Sequence, residues 1–255
     1  MFKVIDFLEY IDKIAPFCLS YPFDNTGLII GDLSADAKKV LVCLDLTRDT
    51  ADFAVSNKTD LIICHHPLIF DPLKSVKKGD IVYELIQNHI SVIAAHTNLD
   101  SAENGVADIL CEILELTNIE NITDDRYPNC APYARSGEIK AGMNPGEFAV
   151  YVKNKIKCDS QRVLYSNSPI KKVAVCPGSG ASMLQQISDM KYDAFISSEF
   201  KHEHWIAAKN SCLTLIDCGH FWSEIHIVSY LSKKLKDVFK IEIIDFAETP
   251  PYSVI

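Results

Sequence analysis

Short apolar runs rich in β-branched residues alternate with amphipathic stretches along almost the whole chain. The apolar runs lie at residues 39–44, 61–64, 91–95, 173–176, 194–196 and 213–216. The stretches with helical spacing lie at residues 4–14, 47–56, 79–88, 180–190 and 221–238. Apolar runs without polar alternation indicate strands that are buried on both faces, with helices covering the sheet. We therefore predict an α/β protein built from three-layer domains.

The chain has 255 residues, which is enough for two domains of roughly 100–150 residues each. Residues 117–145 are polar and rich in asparagine, and they contain three prolines. This composition is typical of a linker, and it leaves room for one short strand near residues 133–139. We place the boundary near residue 125, which gives a first domain of residues 1–125 and a second domain of residues 126–255.

The two halves of the sequence resemble each other. Residues 38–43 and 171–176 are nearly the same, and a shift of 133 residues without a gap places His66 on Glu199. The next apolar run ends in a His-x-x-x-carboxylate pattern in both halves. The agreement in strand order, spacing and pattern predicts that the two α/β domains arose by internal duplication.

Two adjacent histidines, His65 and His66, follow the apolar run at residues 61–64 and precede Pro67. Open α/β sheets bind ligands beyond the carboxyl ends of their strands, and neutral imidazole is the commonest metal ligand. Adjacent residues on a strand point to opposite faces. The strand must therefore end at His65 if both rings serve one site; otherwise they serve two ions.

Two further strand ends offer metal ligands. Asp100 supplies a carboxylate that could bridge two cations or cap a helix, and His96 could bind metal or orient a ligand. His220 and Glu224 stand four residues apart after Gly219, so they share one face of a helical turn, as metal ligands or as a surface ion pair. The predicted metal ligands are His65, His66, Asp100, His220 and Glu224.

The mixed nitrogen and oxygen donors of this set suit zinc, iron or manganese. Five ligands are too many for one tetrahedral catalytic ion and too few for two saturated ions. They fit two divalent ions with open positions for water. We expect these ions to lie in the crevice between the two domains.

Two residues of the second half are candidates for proton transfer. Glu199 occupies the position that His66 has in the first half, and His204 lies just beyond it. Glu199 could instead cap the helix that follows. The Gly178-Ser179-Gly180 sequence could cradle a phosphate, although an ordinary tight turn explains it equally well.

Composition argues against several classes of protein, including nucleic-acid-binding and membrane-spanning proteins. The formal net charge is −9, whereas nucleic-acid binding usually needs a basic face. The nine cysteines include no C-x-x-C pair, so we expect reduced, buried thiols rather than a cysteine-based zinc site. The amino terminus does not resemble a signal peptide, and no apolar stretch approaches the ~20 residues that span a bilayer. These features predict a cytoplasmic protein that is not inserted in a membrane.

Four motifs in this chain resemble a known family, the Nif-three-like dinuclear-metal proteins, also labelled GTP cyclohydrolase I type 2. The motifs lie at residues 24–31, 64–67, 95–100 and 219–224, in family order. The resemblance implies two related α/β domains, metal ligands at the five residues named above, a toroidal homohexamer and opening of the guanine ring of GTP. The chain departs from the family pattern at Ser198, where a glycine is expected.

The first hypothesis for function is metal-dependent hydrolysis of a nucleotide or a related phosphorylated heterocycle. A second hypothesis is a protein that stores, delivers or senses metal without turnover. A third is an interaction scaffold built on a ring-shaped oligomer. The negative net charge argues against nucleic acid as the partner of such a scaffold. The expected partners are other copies of the chain and a small nucleotide-like ligand.

Overall fold

The computed structural model describes residues 1–254. The chain divides into two compact units, of which unit 1 comprises Met1–Glu103 with Ile227–Thr249. Unit 2 comprises Asn104–His226 together with the terminal residues from Pro250 onwards. Each unit contains one mixed β-sheet with helices, as the α/β prediction requires.

The elements are numbered in chain order. The strands are β1 (Gly27–Ile30), β2 (Lys39–Cys43), β3 (Leu61–Cys64), β4 (Ser91–Ala94), β5 (Thr117–Ile122), β6 (Ala134–Met143), β7 (Arg162–Leu164), β8 (Ile170–Val175), β9 (Ala194–Ser197), β10 (Thr214–Asp217) and β11 (Glu242–Asp245). The α-helices are α1 (Val4–Ile14), α2 (Arg48–Ser56), α3 (Ile81–Gln87), α4 (Thr97–Ser101), α5 (Val106–Ile113), α6 (Pro145–Ile156), α7 (Leu184–Asp189), α8 (His202–Asn210), α9 (His220–Glu224) and α10 (His226–Val238). Short 3₁₀ turns lie at Phe17–Leu19 and Ala181–Met183.

The sheet of unit 1 has the strand order β1-β4-β3-β2-β11, in which only β1 runs antiparallel to its neighbour. Leu41 and Cys43 of β2 join an apolar cluster with residues of α2 and α3. Val40 and Val42 alternate with them along the strand and are also buried. Because successive side chains point to opposite faces, this pattern requires a sheet that is covered on both sides.

The sheet of unit 2 has the strand order β5-β6-β8-β9-β10-β7, with β8, β9 and β10 parallel. Val173 and Val175 of β8 pack in one apolar cluster with α5 and α6, and Ala174 packs in another on the opposite face. The carboxyl ends of the parallel strands therefore share one edge of a buried sheet, which is where ligand-binding residues gather in such folds.

The two sheets share a common topology. The order β1-β4-β3-β2 in unit 1 matches β7-β10-β9-β8 in unit 2, with the same antiparallel edge pair. In unit 1 the Asp60 carboxylate accepts the amides of Lys38 and Lys39 at 2.8 and 2.9 Å. In unit 2 the Asp193 carboxylate accepts the amides of the two equivalent lysines at 3.0 and 2.7 Å. The topology is that expected of a duplicated fold, although its origin by duplication stays a prediction.

Residues 117–145 do not form a linker, although the short strand predicted near residues 133–139 is confirmed as part of β6. The segment contains two paired strands, β5 and the ten-residue β6, which extend the sheet of unit 2. Its polar composition reflects an edge position, because β5 is mostly exposed.

The compact units also do not divide near residue 125, where the sequence placed the domain boundary. The chain returns to unit 1 after α9, because α10 supplies buried apolar residues there and β11 pairs in parallel with β2.

Two predicted helices are each broken in the structure. The pattern at residues 221–238 forms α9 and α10 separately, and the pattern at 180–190 forms a 3₁₀ turn followed by α7. The apolar spacing predicted helical structure in both stretches but not the interruption within each. Within residues 1–254, no helix is both long enough and apolar enough to cross a membrane.

Gly31, directly after β1, should tolerate no side chain. Its φ is 114°, and a Cβ atom there would lie 2.2 Å from Ser91 Oγ and 2.8 Å from Ser91 Cα. Gly79 has a φ of 98° but open space around a Cβ. Backbone strain alone costs about 1–3 kcal/mol, and overpacking adds about 1–3 kcal/mol. We expect Gly31→Ala to lower the free energy of unfolding by more than the matched variant Gly79→Ala, as measured by denaturant titration. Equal losses would contradict the close packing of Gly31 on Ser91.

Candidate metal-binding residues

His65 lies directly beyond the end of β3, and its side chain is almost completely buried. Its Nδ1 atom lies 2.8 Å from the backbone carbonyl of Ala95, which can only accept a hydrogen bond. Nδ1 therefore carries the proton, and Nε2 carries the lone pair in the neutral ring. Nε2 faces Asp100 Oδ1 at 3.5 Å. The tautomer of His65 is thus the one that presents Nε2 as a ligand.

His66 is held in the same way by a carboxylate. Its Nδ1 atom lies 2.8 Å from Oδ1 of Asp45, a residue in the segment that follows β2. The Asp45 backbone carbonyl accepts the Thr50 hydroxyl at 2.9 Å, which fixes the segment against α2. An ionised carboxylate can only accept, so His66 also presents the lone pair of Nε2.

His96, the cap residue of α4, repeats the arrangement with Asp24. The distance from His96 Nδ1 to Asp24 Oδ1 is 2.8 Å, and Asp24 Oδ2 accepts the amide and the hydroxyl of Thr97. Burial alone would raise the pKa of the Asp24 carboxyl, but the hydrogen bonds from His96 and Thr97 outweigh it and lower the pKa to about 2. Asp24 is therefore a charged acceptor at neutral pH.

These three imidazoles meet at one edge of the unit 1 sheet. The ring centroids of His65 and His66 are 4.9 Å apart, and that of His96 lies 5.2 and 5.4 Å from them. Each ring offers a ligand nitrogen, and the three nitrogens lie within 4.8 Å of one another. Because β3 ends at Cys64, the backbone is free to turn both adjacent histidines to the same side. His96, which the sequence left as ligand or supporting residue, belongs to this group.

Asp100 lies in α4, immediately after β4, and is 7% exposed. Its amide donates to the His96 carbonyl at 2.9 Å, so Asp100 is within the helix and is not its cap. The short helix is fixed by Asn98, whose side chain donates to the Ala15 carbonyl at 2.7 Å and accepts the His96 amide at 2.9 Å. This arrangement directs the Asp100 carboxylate towards His65.

In unit 2, His220 and Glu224 share one face of α9, as their spacing predicted. His220 Nε2 lies 3.0 Å from a carboxylate oxygen of Glu224, which is 3% exposed. His220 Nδ1 lies 2.8 Å from Oε1 of Glu199. Glu199 has a left-handed backbone with φ 61°, uncommon for a residue with a side chain. The contact assigns Glu199 as the carboxylate that orients His220.

The Gly178-Ser179-Gly180 loop lies against this pair. A Cβ atom at position 178 would be 2.3 Å from Glu224 Oε1 and 3.1 Å from His220 Nε2, so only glycine allows the approach. The Gly178 and Gly180 amides donate to the hydroxyls of Ser223 and Ser197, at 2.9 Å each. Two amides that a phosphate cradle would use are therefore engaged within the protein, which favours the tight-turn interpretation. Ser198, at the position of the expected family glycine, donates its hydroxyl to the Gly178 carbonyl at 2.5 Å.

His204 differs from the four histidines described above. Its Nδ1 atom accepts the backbone amide of Lys201 at 3.0 Å, at the start of α8. The proton of its neutral ring must therefore be on Nε2, which is the opposite tautomer. The structure gives His204 a place at the helix start, and its catalytic role stays a prediction.

A cavity of about 550 Å³ in unit 2 opens beside His220. Arg162 lines it and is held by Asp217, by the Phe200 carbonyl at 3.2 Å and by the face of the Trp205 ring at 5.3 Å. Tyr252 also lines the cavity. Its volume lies within the range of small-molecule sites.

Among the described residues, no cysteine belongs to a group of candidate metal ligands. Cys64, next to His65, is fully buried, and burial raises the pKa of its thiol to about 12. Burial also raises the pKa of the Cys218 thiol, two residues before His220. The expectation of buried thiols is confirmed for Cys64 but is wrong for Cys212, which is exposed.

Sequence reasoning missed the acceptors that orient the histidines. Asp45 follows β2 as a carboxylate at a strand end, which is the signal that identified the other candidates. Asp24 lies in the motif at residues 24–31, and it is separated from its partner His96 by 72 residues along the chain. No local pattern predicts that pairing.

Asp24 should stabilise the folded protein in a pH-dependent way. Because its pKa falls from the ordinary 3.8 to about 2 on folding, its contribution is complete above pH 3.8 and is lost as the pH falls towards 2. We expect Asp24→Asn to be less stable than the wild type at pH 7, with the difference shrinking below pH 4. Urea unfolding over a pH series measures it, with Asp71→Asn, at an exposed loop position, as control. A difference that grows on acidification would contradict the assignment.

Comparison with known proteins places these residues in a family. The chain is 31% identical over 243 residues to a Clostridium acetobutylicum protein named GTP cyclohydrolase 1 type 2 homolog, covering 92% of this chain and 90% of that protein. The crystal structure of a Staphylococcus aureus hypothetical protein aligns with a TM-score of 0.89 at 28% identity, covering 99% of both chains. A Bacillus cereus protein related to NIF3 has the same fold, with a TM-score of 0.87 at 20% identity over 99% of both chains.

The family profile described as Duf34/NIF3 (NGG1p interacting factor 3) matches residues 2–251. This match spans both units and all of the candidate ligands. The chain therefore belongs to the Duf34/NIF3 family.

Proposed function

We propose that this protein binds a pair of divalent metal ions and uses them to hydrolyse a nucleotide or a related phosphorylated heterocycle. The proposed ligands are His65, His66, Asp100, His220 and Glu224. The observation that carries the proposal is the common orientation of the candidate histidines. Each of the three in the proposed set donates Nδ1–H to a carbonyl or carboxylate and presents Nε2.

The donor set fits a divalent ion. Metal-binding histidines almost always donate their second ring nitrogen to a carboxylate or carbonyl, which fixes the tautomer and raises the basicity of the ligand. The other candidates are carboxylates, and no cysteine belongs to the candidate groups among the described residues. Nitrogen and oxygen donors without sulfur favour zinc, iron or manganese over a closed structural zinc site.

The proposed set draws on residues of both units. Unit 1 supplies two histidines and Asp100, and unit 2 supplies His220 and Glu224. Membership of the family, whose motifs include all five residues, supports combining the two sets. We propose that His96 is a supporting residue because it lies outside the five-ligand set, although the His96–Asp24 pair also presents Nε2 next to His65 and His66.

A divalent ion at such a centre lowers the pKa of bound water towards neutrality and polarises an electrophile. The residues of the chain would position these groups. Glu199 fixes the His220 ring through Nδ1, and Asp45 does the same for His66. The side chain of Glu199 is 54% exposed to solvent. This exposure is compatible with the proposed role of Glu199 in proton transfer.

A nucleotide-like substrate is supported by two observations. The similar Clostridium protein carries the name GTP cyclohydrolase 1 type 2 homolog, and the cavity beside His220 contains a fixed guanidinium and a tyrosine ring. Arginine is well suited to phosphate, and aromatic rings to planar bases.

Assembly into a toroidal homohexamer and a cytoplasmic location stay predictions. Light scattering of the purified protein tests the predicted homohexamer.

Metal content tests the proposed ligands. We expect about two divalent ions per chain by elemental analysis of protein purified without chelator, because two-metal sites bind ions in pairs. His65→Ala should lower the content to about one ion or fewer and abolish turnover of GTP or another nucleotide. His202→Ala changes an exposed histidine of α8 and should leave both unchanged. Two ions without turnover would favour metal storage or delivery, and no bound metal would refute the proposal.

A substitution at Glu199 distinguishes a role in orienting the His220 ring from a role in proton transfer. Glu199→Gln keeps the size of the side chain but weakens the hydrogen bond to His220 Nδ1. We expect a loss of roughly 10–100-fold in metal affinity or activity, as is usual for residues that orient ligands. A loss of turnover with full metal content would assign proton transfer instead. Unchanged affinity and turnover would exclude both roles.

A further inference from the structure

The segment that follows β11 holds the loop that carries Asp45. The carboxylate of Glu248 accepts two backbone amides: Oε2 that of Leu44 at 2.6 Å and Oε1 that of Asp45 at 2.7 Å. These partners are 204 and 203 residues away along the chain. Both oxygens of one side chain therefore fix two successive peptide units just beyond the end of β2.

The same loop makes two hydrogen bonds with His66. Asp45 Oδ1 accepts His66 Nδ1 at 2.8 Å, and the Leu44 carbonyl accepts the His66 amide at 3.0 Å. Thr50 binds the Asp45 carbonyl from the other side. With its amide on Glu248 and its carbonyl on Thr50, the Asp45 backbone has little freedom to rotate, so its carboxylate stays directed at the imidazole.

A simple anchoring of the last strand does not account for this contact. β11 is already joined to β2 by four parallel register pairs, and Phe246 donates its amide to the Val42 carbonyl at 2.9 Å. Burial raises the pKa of Glu248, while its two amide hydrogen bonds oppose that rise and the nearby Asp45 charge adds to it. Glu248 is half-buried, and a carboxylate in that position beside the Asp45 carboxylate costs free energy.

We propose that Glu248 is a positioning residue that sets the tautomer and direction of the His66 ring through Asp45. Its relevance to metal binding rests on the proposed function, whereas the positioning itself does not. The chain of contacts runs from the Glu248 carboxylate to the Asp45 amide, from the Asp45 side chain to His66 Nδ1, and leaves Nε2 of His66 as the ligand atom.

The tautomer of His66 in metal-free protein tests this proposal. Nitrogen NMR of the imidazoles, at about pH 8 where histidine is neutral, distinguishes a protonated Nδ1 from a protonated Nε2. We expect Glu248→Ala to shift His66 from the Nδ1–H form to a mixture of tautomers. His65, whose Nδ1 is held by the Ala95 carbonyl, serves as an internal control and should not change. Zinc affinity should fall roughly 10–100-fold.

Two matched variants complete the design. Glu248→Gln keeps one acceptor oxygen, so it should give an intermediate shift, and it replaces the alanine variant if that fails to fold. Glu242→Gln, also in the C-terminal part of unit 1, removes only a surface pair with Lys39 at 3.1 Å and should change neither tautomer nor affinity.

An unchanged His66 tautomer in a folded Glu248→Ala protein would overturn the proposal. An equal shift of His65 would also overturn it, because the effect would then be general loosening of the unit. A shift of His66 alone with unchanged zinc affinity would support the positioning role and would exclude His66 as a ligand. Positioning and the proposed function can therefore fail separately.

Discussion

The hydrogen bond donated by Nδ1 of each candidate metal-binding histidine is the interaction on which the proposed metal site depends. Imidazole has two nitrogens and, when neutral, one proton, so the group that occupies Nδ1 decides whether Nε2 can bind a metal ion. A carbonyl holds His65, and carboxylates hold His66, His96 and His220. His204 has the opposite tautomer because it accepts a helix amide. The distinction follows from donors and acceptors and needs no bound ion.

The fold explains why such acceptors are at hand. Parallel strands end at one edge of each sheet, and each strand end brings a polar residue to that edge. Asp45 follows β2, His65 and His66 follow β3, and His96 follows β4. The last segment of the chain contributes Glu248 from beyond β11, which lies beside β2. The edge is thus assembled from segments that are far apart in sequence.

Carboxylates contribute in three distinct ways. Asp100 and Glu224 face imidazole nitrogens as candidate ligands. Asp24, Asp45 and Glu199 hold the opposite nitrogens. Glu248 accepts the backbone amides of Leu44 and Asp45. A net charge of −9 therefore reflects in part a site that concentrates acids where cations are expected to bind.

The sequence by itself determined the α/β class, the strands at 39–44, 61–64 and 194–196, and the candidate ligand residues, because apolar periodicity and residue chemistry are local properties. It indicated a short strand within β6 but missed β5, since an exposed edge strand lacks an apolar signature, and it missed the return of α10 and β11 to unit 1. Only the tertiary structure decided which acceptor holds each imidazole. Those partners are up to 72 residues apart for His96 and Asp24, and Glu248 reaches its amides across more than 200 residues. Such pairings follow from the way the strands are ordered in the sheet, and no local pattern encodes that order.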